Sequence, residues 1–162
     1  MLETIAQPTI VHNTFLIERS YPATPERVFA AFADPAQKRR WFLEHRTNEI
    51  QEYSLDFRAG GNELARYRSL AGTPFPDAVF STRTNFQFIN PEKCILLAST
   101  MFLNEQCISS ALISFEFLPS ATGTDLICTH QAAFFENSGG PEMRKTGWNT
   151  LFDKLGKVLE AA

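Results

Sequence analysis

The sequence predicts an α+β fold in which a curved antiparallel sheet of about seven strands packs around one long C-terminal helix. Residues 141–162 have a helical pattern of apolar residues, and most of the chain from residue 49 to residue 134 alternates in the way of strands. Because neither surface is stable alone in water, the helix must bury its apolar stripe on the sheet. That stripe consists of Gly147, Trp148, Leu151, Leu155 and Leu159. With 162 residues, the chain is expected to form a single domain over residues 1–162.

A first strand over residues 15–20 and two short helices open the predicted order of elements. Thr24 and Pro25 predict the first helix, because the hydroxyl caps free amides and a proline at the first helical position loses no hydrogen bond. Asp34-Pro35 repeats this start signal, so a second helix is expected to end near residue 42. The basic residues 38–40 of that helix are interpreted as a solvated helix face.

Six further strands are predicted to form an antiparallel meander, since only turns and one loop separate them. They span residues 49–57, 64–70, 79–89, 94–103, 108–118 and 124–134. Gly60 and Gly61 permit the positive φ that a tight hairpin needs. Residues 71–77 contain one glycine and two prolines and form a loop that is a candidate rim for a cavity. The first strand is expected to close one edge of the meander.

The composition argues against several classes of partner and cofactor. A net charge of −3 does not suit a nucleic-acid partner. Apolar runs such as residues 94–98 are far shorter than the roughly 20 residues that span a bilayer, so no membrane insertion is expected. Cys94, Cys107 and Cys128 are widely spaced, which indicates reduced thiols and a cytoplasmic protein. The three histidines are distant in sequence and no metal or nucleotide motif is present, so neither a metal nor a cofactor is expected.

Short motifs along the chain occur in the order that is typical of a known family. They are Glu-Arg-Ser-Tyr-Pro-Ala at residues 18–23, Asp34-Pro35, Arg40-Trp41, Asp56-Phe57-Arg58, Gly60-Gly61, Gly123-Thr124 and Gly147-Trp148. From residue 15 to residue 159, the chain resembles the helix-grip fold of the START-like (SRPBCC) superfamily, in the branch named after the activator of Hsp90 ATPase. It departs from common members at Trp41-Phe42, where two tryptophans are frequent.

This resemblance implies a hydrophobic cavity between the sheet and the C-terminal helix. Relatives of this kind bind hydrophobic small molecules or lipids, some cyclise polyketide intermediates, and the eukaryotic namesake assists a chaperone. Since a fold alone does not define a function, the residues facing the cavity must decide between these roles. The candidates for ligand binding are Tyr53, Phe57, Thr82, Thr84, Phe86, His130 and Trp148.

Two interpretations of these residues stay open, because aromatic side chains line cavities and also fill cores. If the cavity is an active site, His130 is the candidate general acid or base, assisted by Tyr53 or Tyr67. The alternative for His130 is a hydrogen-bonded core histidine. No nucleophile elbow, paired-carboxylate motif or phosphate loop is present, so no catalytic residue is assigned, and binding is favoured over a cyclase-type enzyme.

A third hypothesis is a stress-associated or chaperone-associated interaction protein. It is the weakest, because the outer sheet face is expected to carry Ser109, Ser110 and Ser114 and so to offer little apolar surface. A homodimer is compatible with the sequence, but no residue pattern specifies one.

Overall fold

A seven-stranded antiparallel sheet and three helices make up residues 8–161, the part of the chain that the computed structural model describes. The strands are β1 (Val11–Tyr21), β2 (Asn48–Leu55), β3 (Asn62–Ser69), β4 (Val79–Asn90), β5 (Cys94–Leu103), β6 (Gln106–Ser120) and β7 (Gly123–Phe134). The helices are α1 (Pro25–Ala33), α2 (Pro35–Phe42) and α3 (Gly140–Glu160). The strand order is β1-β7-β6-β5-β4-β3-β2. Strands β2 to β7 are therefore the predicted meander, and β1 closes its edge by pairing with β7.

The two short helices begin where the sequence predicts. The hydroxyl of Thr24 accepts a hydrogen bond from the backbone N–H of Arg27 at 3.2 Å, and the carboxylate of Asp34 accepts one from Ala36 at 3.1 Å. Each cap satisfies an amide that has no partner inside its helix, and a proline follows each cap. Both helix starts are thus confirmed.

The connection between β2 and β3 is longer than the predicted tight hairpin. Strand β2 ends at Leu55, so Phe57 lies in the connecting loop and not on a strand. Of the two glycines, Gly60 has a positive φ of 83°, whereas Gly61 is required for a steric reason. A Cβ atom on Gly61 would lie 2.1 Å from the carbonyl oxygen of Asp56, so this position needs a residue without a side chain.

Aromatic rings fill the space between the helices and one half of the inner sheet face. The ring of Phe32 lies 5.0 Å from that of Phe115 and 5.2 Å from that of Phe117, measured between centroids. Phe29 contacts Phe117 edge-to-face at 5.4 Å. The indole N–H of Trp41 donates a 2.8 Å hydrogen bond to the carbonyl oxygen of Ala31, which ties α2 to α1. Such edge-to-face contacts are the geometry that aromatic quadrupoles favour.

Lys38 is buried, and the prediction of a solvated basic face over residues 38–40 is wrong at this position. Its side chain is paired with the carboxylate of Glu63 on β3 at 3.1 Å, and the two residues are only 4% and 1% exposed. The hydroxyl of Tyr53 donates a 2.8 Å hydrogen bond to the same carboxylate. The ammonium also lies 4.5 Å from the centroid of Phe42. The long side chain of Lys38 extends from α2 to Glu63, whereas Arg40 on the same helix is exposed.

The buried face of α3 is rotated relative to the predicted stripe. Its buried residues are Trp148, Phe152, Leu155, Val158 and Leu159. Gly147 is exposed and Leu151 is only half-buried, whereas Phe152 is fully buried. The hydroxyl of Tyr21 on β1 donates to the carbonyl oxygen of Phe152 at 2.8 Å, which fixes α3 against the sheet edge.

Candidate ligand cavity

A cavity of about 470 Å³ lies between the inner face of the sheet and the first four turns of α3. This volume falls in the range of roughly 300 to 1,000 Å³ that is typical of small-molecule sites. Thr73, Pro74 and Phe75, from the loop between β3 and β4, line its rim. Most of its wall is apolar and comes from β3 to β6 and α3. The main apolar residues are Ala65, Phe80, Met101, Ile108, Ala111, Ile113, Trp148 and Leu151.

Three of the seven predicted ligand-binding residues line this cavity. Thr82 on β4, His130 on β7 and Trp148 on α3 contribute to its wall from three different sides. Their convergence follows from the alternation of the strands, which turns both Thr82 and His130 toward the helix.

The other four predicted residues lie outside the lining. Tyr53 is engaged with the carboxylate of Glu63, and the Thr84 hydroxyl donates to the Ser99 hydroxyl at 2.9 Å. Phe57 and Phe86 contact one another edge-to-face at 5.1 Å, in the aromatic core. Phe57 belongs to the loop after β2, and the other three side chains lie on strands but outside the part that borders the cavity.

His130 is completely buried between two phenylalanine rings. Its ring stacks on Phe15 at a centroid distance of 4.5 Å and faces Phe134 at 6.1 Å. Neither ring nitrogen has a hydrogen-bond partner within the described residues. Burial, together with the positive charge of Arg144, lowers the pKa of His130 to about 4. The ring is therefore neutral at physiological pH and offers one N–H donor and one nitrogen acceptor.

Arg144 on α3 is a cavity residue that the sequence analysis missed. Its Nη2 donates a 2.7 Å hydrogen bond to the hydroxyl of Ser109, and its Cζ lies 5.3 Å from the centroid of the Phe134 ring. Within residues 8–161, no carboxylate lies within ion-pairing distance of this guanidinium. Burial lowers the pKa of Arg144 to about 10, which leaves the group charged at neutral pH. A sequence signal did exist, since Arg144 precedes Trp148 by four residues and so shares its helix face.

Ser109 lies on the inner face with Ala111 and Ile113, as the alternation of β6 requires, so its predicted place on the solvent side is wrong. Met101 on β5 pairs with Ser109, whereas the next residue, Phe102, pairs with Cys107. Ile108 is the extra residue of this bulge, and both Ile108 and Ser109 are buried. Beyond the bulge the alternation resumes as predicted, and Ser110 is exposed.

Two more polar residues face the cavity and one cation lies at its rim. The hydroxyl of Thr82 is buried without a hydrogen-bond partner. Burial raises the pKa of Tyr67, and the nearby charge of Arg144 partly offsets that shift. At the rim, the ammonium of Lys154 donates a hydrogen bond to the carbonyl oxygen of Glu44. The lining residues include no aspartate or glutamate.

The described part of the chain has no cluster of metal-ligating side chains, and Cys128 is a buried thiol. Residues 8–161 contain no group of three His, Cys, Asp or Glu side chains that could hold an ion. Burial raises the pKa of Cys128 to about 12, so this thiol stays protonated and is a poor nucleophile. As for bilayers, none of the helices found between residues 8 and 161 has the length and apolarity to cross one.

A curved seven-stranded sheet around a long C-terminal helix defines a helix-grip protein of the START-like (SRPBCC) class. Residues 22–160 match the family described as Activator of Hsp90 ATPase homolog 1-like protein, and the chain belongs to this family.

Solved structures support the assignment. The Mll3558 protein from Rhizobium loti is 36% identical with a TM-score of 0.82, over 93% of this chain and 99% of that one. An uncharacterized protein from Rhizobium leguminosarum is 31% identical with a TM-score of 0.85, over 94% of this chain and 97% of that one. The AHSA1-like protein from Aeromonas hydrophila shares the fold at 17% identity and a TM-score of 0.65, with coverages of 92% and 93%. No protein with a curated function matches the chain.

Proposed function

We propose that the protein binds a hydrophobic small molecule or a lipid in the cavity between the sheet and α3. The observation that carries this proposal is a cavity of about 470 Å³ whose wall exposes mostly apolar surface. Burying a ligand's apolar surface against such a wall contributes about 25 cal/mol per Å² before the costs of association. The few polar groups would fix the orientation of the ligand.

Within this proposal, Thr82, His130 and Trp148 contact the ligand directly. The other four predicted residues lie outside the lining, and a direct role for any of them stays a prediction. They are Tyr53, Phe57, Thr84 and Phe86.

Binding is better supported than cyclase-type catalysis. A histidine whose pKa is lowered to about 4 is a weak base. Near neutral pH its ring is neutral, so it has no imidazolium proton to transfer as a general acid. The lining also offers no carboxylate to act as its partner in proton transfer. Tyr67 holds its proton more firmly than usual, because burial raises its pKa.

The test is a ligand screen in which the cavity is blocked. Decan-1-ol and 1-naphthol, two neutral probes, are titrated into the full chain while the melting temperature and the native mass spectrum are recorded. Stabilisation should rise with probe concentration, as mass action requires for a ligand that binds the folded state. The blocking variant is Ala111→Phe, which adds a ring to the cavity wall on β6.

The matched control is Leu112→Phe, the neighbouring position on β6, whose side chain is 40% exposed on the opposite face. Ala111→Phe should abolish the response to both probes while circular dichroism shows a folded protein, and Leu112→Phe should keep it. Equal binding by the two variants would place the ligand elsewhere. The absence of any response of the unmodified protein to these two probes and to decanoate would refute the proposed function.

A further inference from the structure

The ionisable residues of the cavity are unbalanced in charge. They are His45, Tyr67, His130, Arg144 and Lys154. The whole chain contains more acidic than basic residues, 18 against 15, yet the lining contains Arg144 and Lys154 and no acid. A cationic cavity inside an acidic protein favours a guest of negative charge.

Arg144 has most of its hydrogen-bonding capacity free. A guanidinium carries five N–H donors in a planar fork, and within the described residues the side chain uses one of them, toward Ser109 at 2.7 Å. A partly buried cation without a counter-ion is unfavourable, and the lowered pKa of Arg144 reflects that cost. A planar anion would remove the cost and accept two parallel hydrogen bonds.

Further unpartnered groups face the same space as this guanidinium. The Thr82 hydroxyl and both ring nitrogens of His130 are buried in the wall without a hydrogen-bond partner. The Phe134 ring contacts both the His130 ring, at 6.1 Å, and the Arg144 guanidinium, at 5.3 Å, so the two polar groups lie on one side of the cavity. Buried polar atoms are rarely left unpaired in proteins, so each of these is a hydrogen-bonding position that an occupant of the cavity would satisfy.

We propose that the ligand is a carboxylate with an apolar body, and that Arg144 binds its carboxylate in a bidentate manner. This inference rests on the proposed function and specifies its ligand class. The apolar body packs on Ile113 and Trp148. A single free fork matches a monoanion better than a phosphate dianion, because the second cation, Lys154, is already bonded to a carbonyl at the rim.

The test compares three probes of one chain length: decanoate, decan-1-ol and decyltrimethylammonium. Their dissociation constants are measured by isothermal titration calorimetry at neutral pH with the full chain and two variants. Arg144→Gln removes the guanidinium. Lys145→Gln removes the same charge from the adjacent position on α3, whose side chain is outside the lining.

Decanoate is expected to bind the unmodified protein most tightly of the three probes. Arg144→Gln should weaken decanoate by about tenfold to a hundredfold, since hydrogen bonds to a charged group contribute that much, and should change decan-1-ol by less than about twofold. Lys145→Gln should leave both affinities within about twofold. If Arg144→Gln does not fold, Arg144→Lys keeps the charge but lacks the fork, and it should still weaken decanoate by several-fold.

Two results would overturn the inference while the proposed function stands: decan-1-ol or decyltrimethylammonium binding at least as tightly as decanoate, or Arg144→Gln weakening decanoate and decan-1-ol equally. Failure of all three probes to bind would instead refute the proposed function itself, and the inference with it.

Discussion

The two halves of the inner sheet face differ in the size of their side chains. On β6, the inward residues Ala111 and Ile113 line the cavity, whereas Phe115 and Phe117 further along the same strand are buried in an aromatic cluster. We call these regions the cavity half and the packed half. The same strands form both halves, but Phe29 and Phe32 of α1 add their rings to the packed half. The difference shows that space remains where the inward side chains are small and no helix supplies rings to fill it.

The two halves also differ in whether their buried polar groups have partners. In the packed half, Lys38 and Glu63 satisfy one another, and Tyr53 completes the network. In the cavity half, Arg144 has no carboxylate partner within the described residues, and His130 has no hydrogen-bond partner there. The buried polar groups of the packed half therefore stabilise the fold, whereas those of the cavity half are left unsatisfied.

The largest expected effect comes from removing a ring in the packed half. Phe117→Ala deletes a fully buried ring that contacts Phe29 and Phe32, and it should lower the free energy of unfolding by about 3 to 5 kcal/mol. Met101→Ala in the cavity half should cost less than about 1.5 kcal/mol, because part of that side chain faces open space and not a packed neighbour. Urea denaturation measures both values. Equal losses would mean that the cavity half is as tightly packed as the other.

Removing a charge from each half gives the next largest contrast. Lys38→Met leaves the buried Glu63 carboxylate without its counter-ion, which should cost about 3 kcal/mol. Arg144→Met leaves only the Ser109 hydroxyl without a partner and removes a partly buried unpaired cation, so its cost should stay below about 1 kcal/mol. Thermal and urea unfolding of the two variants checks this. A larger loss for Arg144→Met would identify that residue as structural.

The lowered pKa of His130 should reduce the free energy of unfolding by about 2 to 3 kcal/mol when the pH is lowered, since one pKa unit corresponds to about 1.36 kcal/mol. The pKa of His130 in the fold is lowered to about 4, against 6.5 for the ordinary side chain. As pH falls below about 6.5 the unfolded chain takes up a proton that the folded chain refuses, so stability is lost down to about pH 4 and is constant below it. Other groups also titrate in this window, so the comparison is with His130→Gln.

The unfolding free energy of the unmodified protein should fall toward, or below, that of His130→Gln between about pH 7 and about pH 4.5. The control is His12→Gln on β1, since His12 is exposed. Parallel pH curves for the unmodified protein and His130→Gln would show that the ring is solvated or paired in the folded state.

The elements of the fold were largely readable from local patterns. Capping residues and prolines placed α1 and α2, and alternation placed β5 at Cys94–Leu103, as observed. The prediction failed where tertiary contacts override local pattern. Lys38 looked solvated because its partner Glu63 is distant in sequence. Ser109, by contrast, looked exposed together with the polar residues Ser110 and Ser114, although its spacing places it on the inner face with Ala111.

The cavity was harder to predict than the fold. Alternation gives the face on which a side chain lies, and it correctly turned Thr82 and Thr84 the same way. Alternation does not show where along the strand the cavity begins and ends. For that reason it could not distinguish Thr82, which lines the cavity, from Thr84, which lies two residues further along the same face and outside the lining. Arg144 was missed because a charged residue on an amphipathic helix is ordinarily assigned to solvent.

The indole of Trp148 belongs to both halves, since it borders the cavity and also contacts Phe115 at 5.6 Å and Phe152 at 5.5 Å. The second tryptophan, Trp41, is completely buried and is not part of the lining. The tryptophan fluorescence of the protein thus combines emission from Trp148, which an occupant of the cavity would contact, with emission from Trp41, which it would not. Replacing Trp41 with phenylalanine would leave a single built-in optical sensor of occupancy, with no added dye.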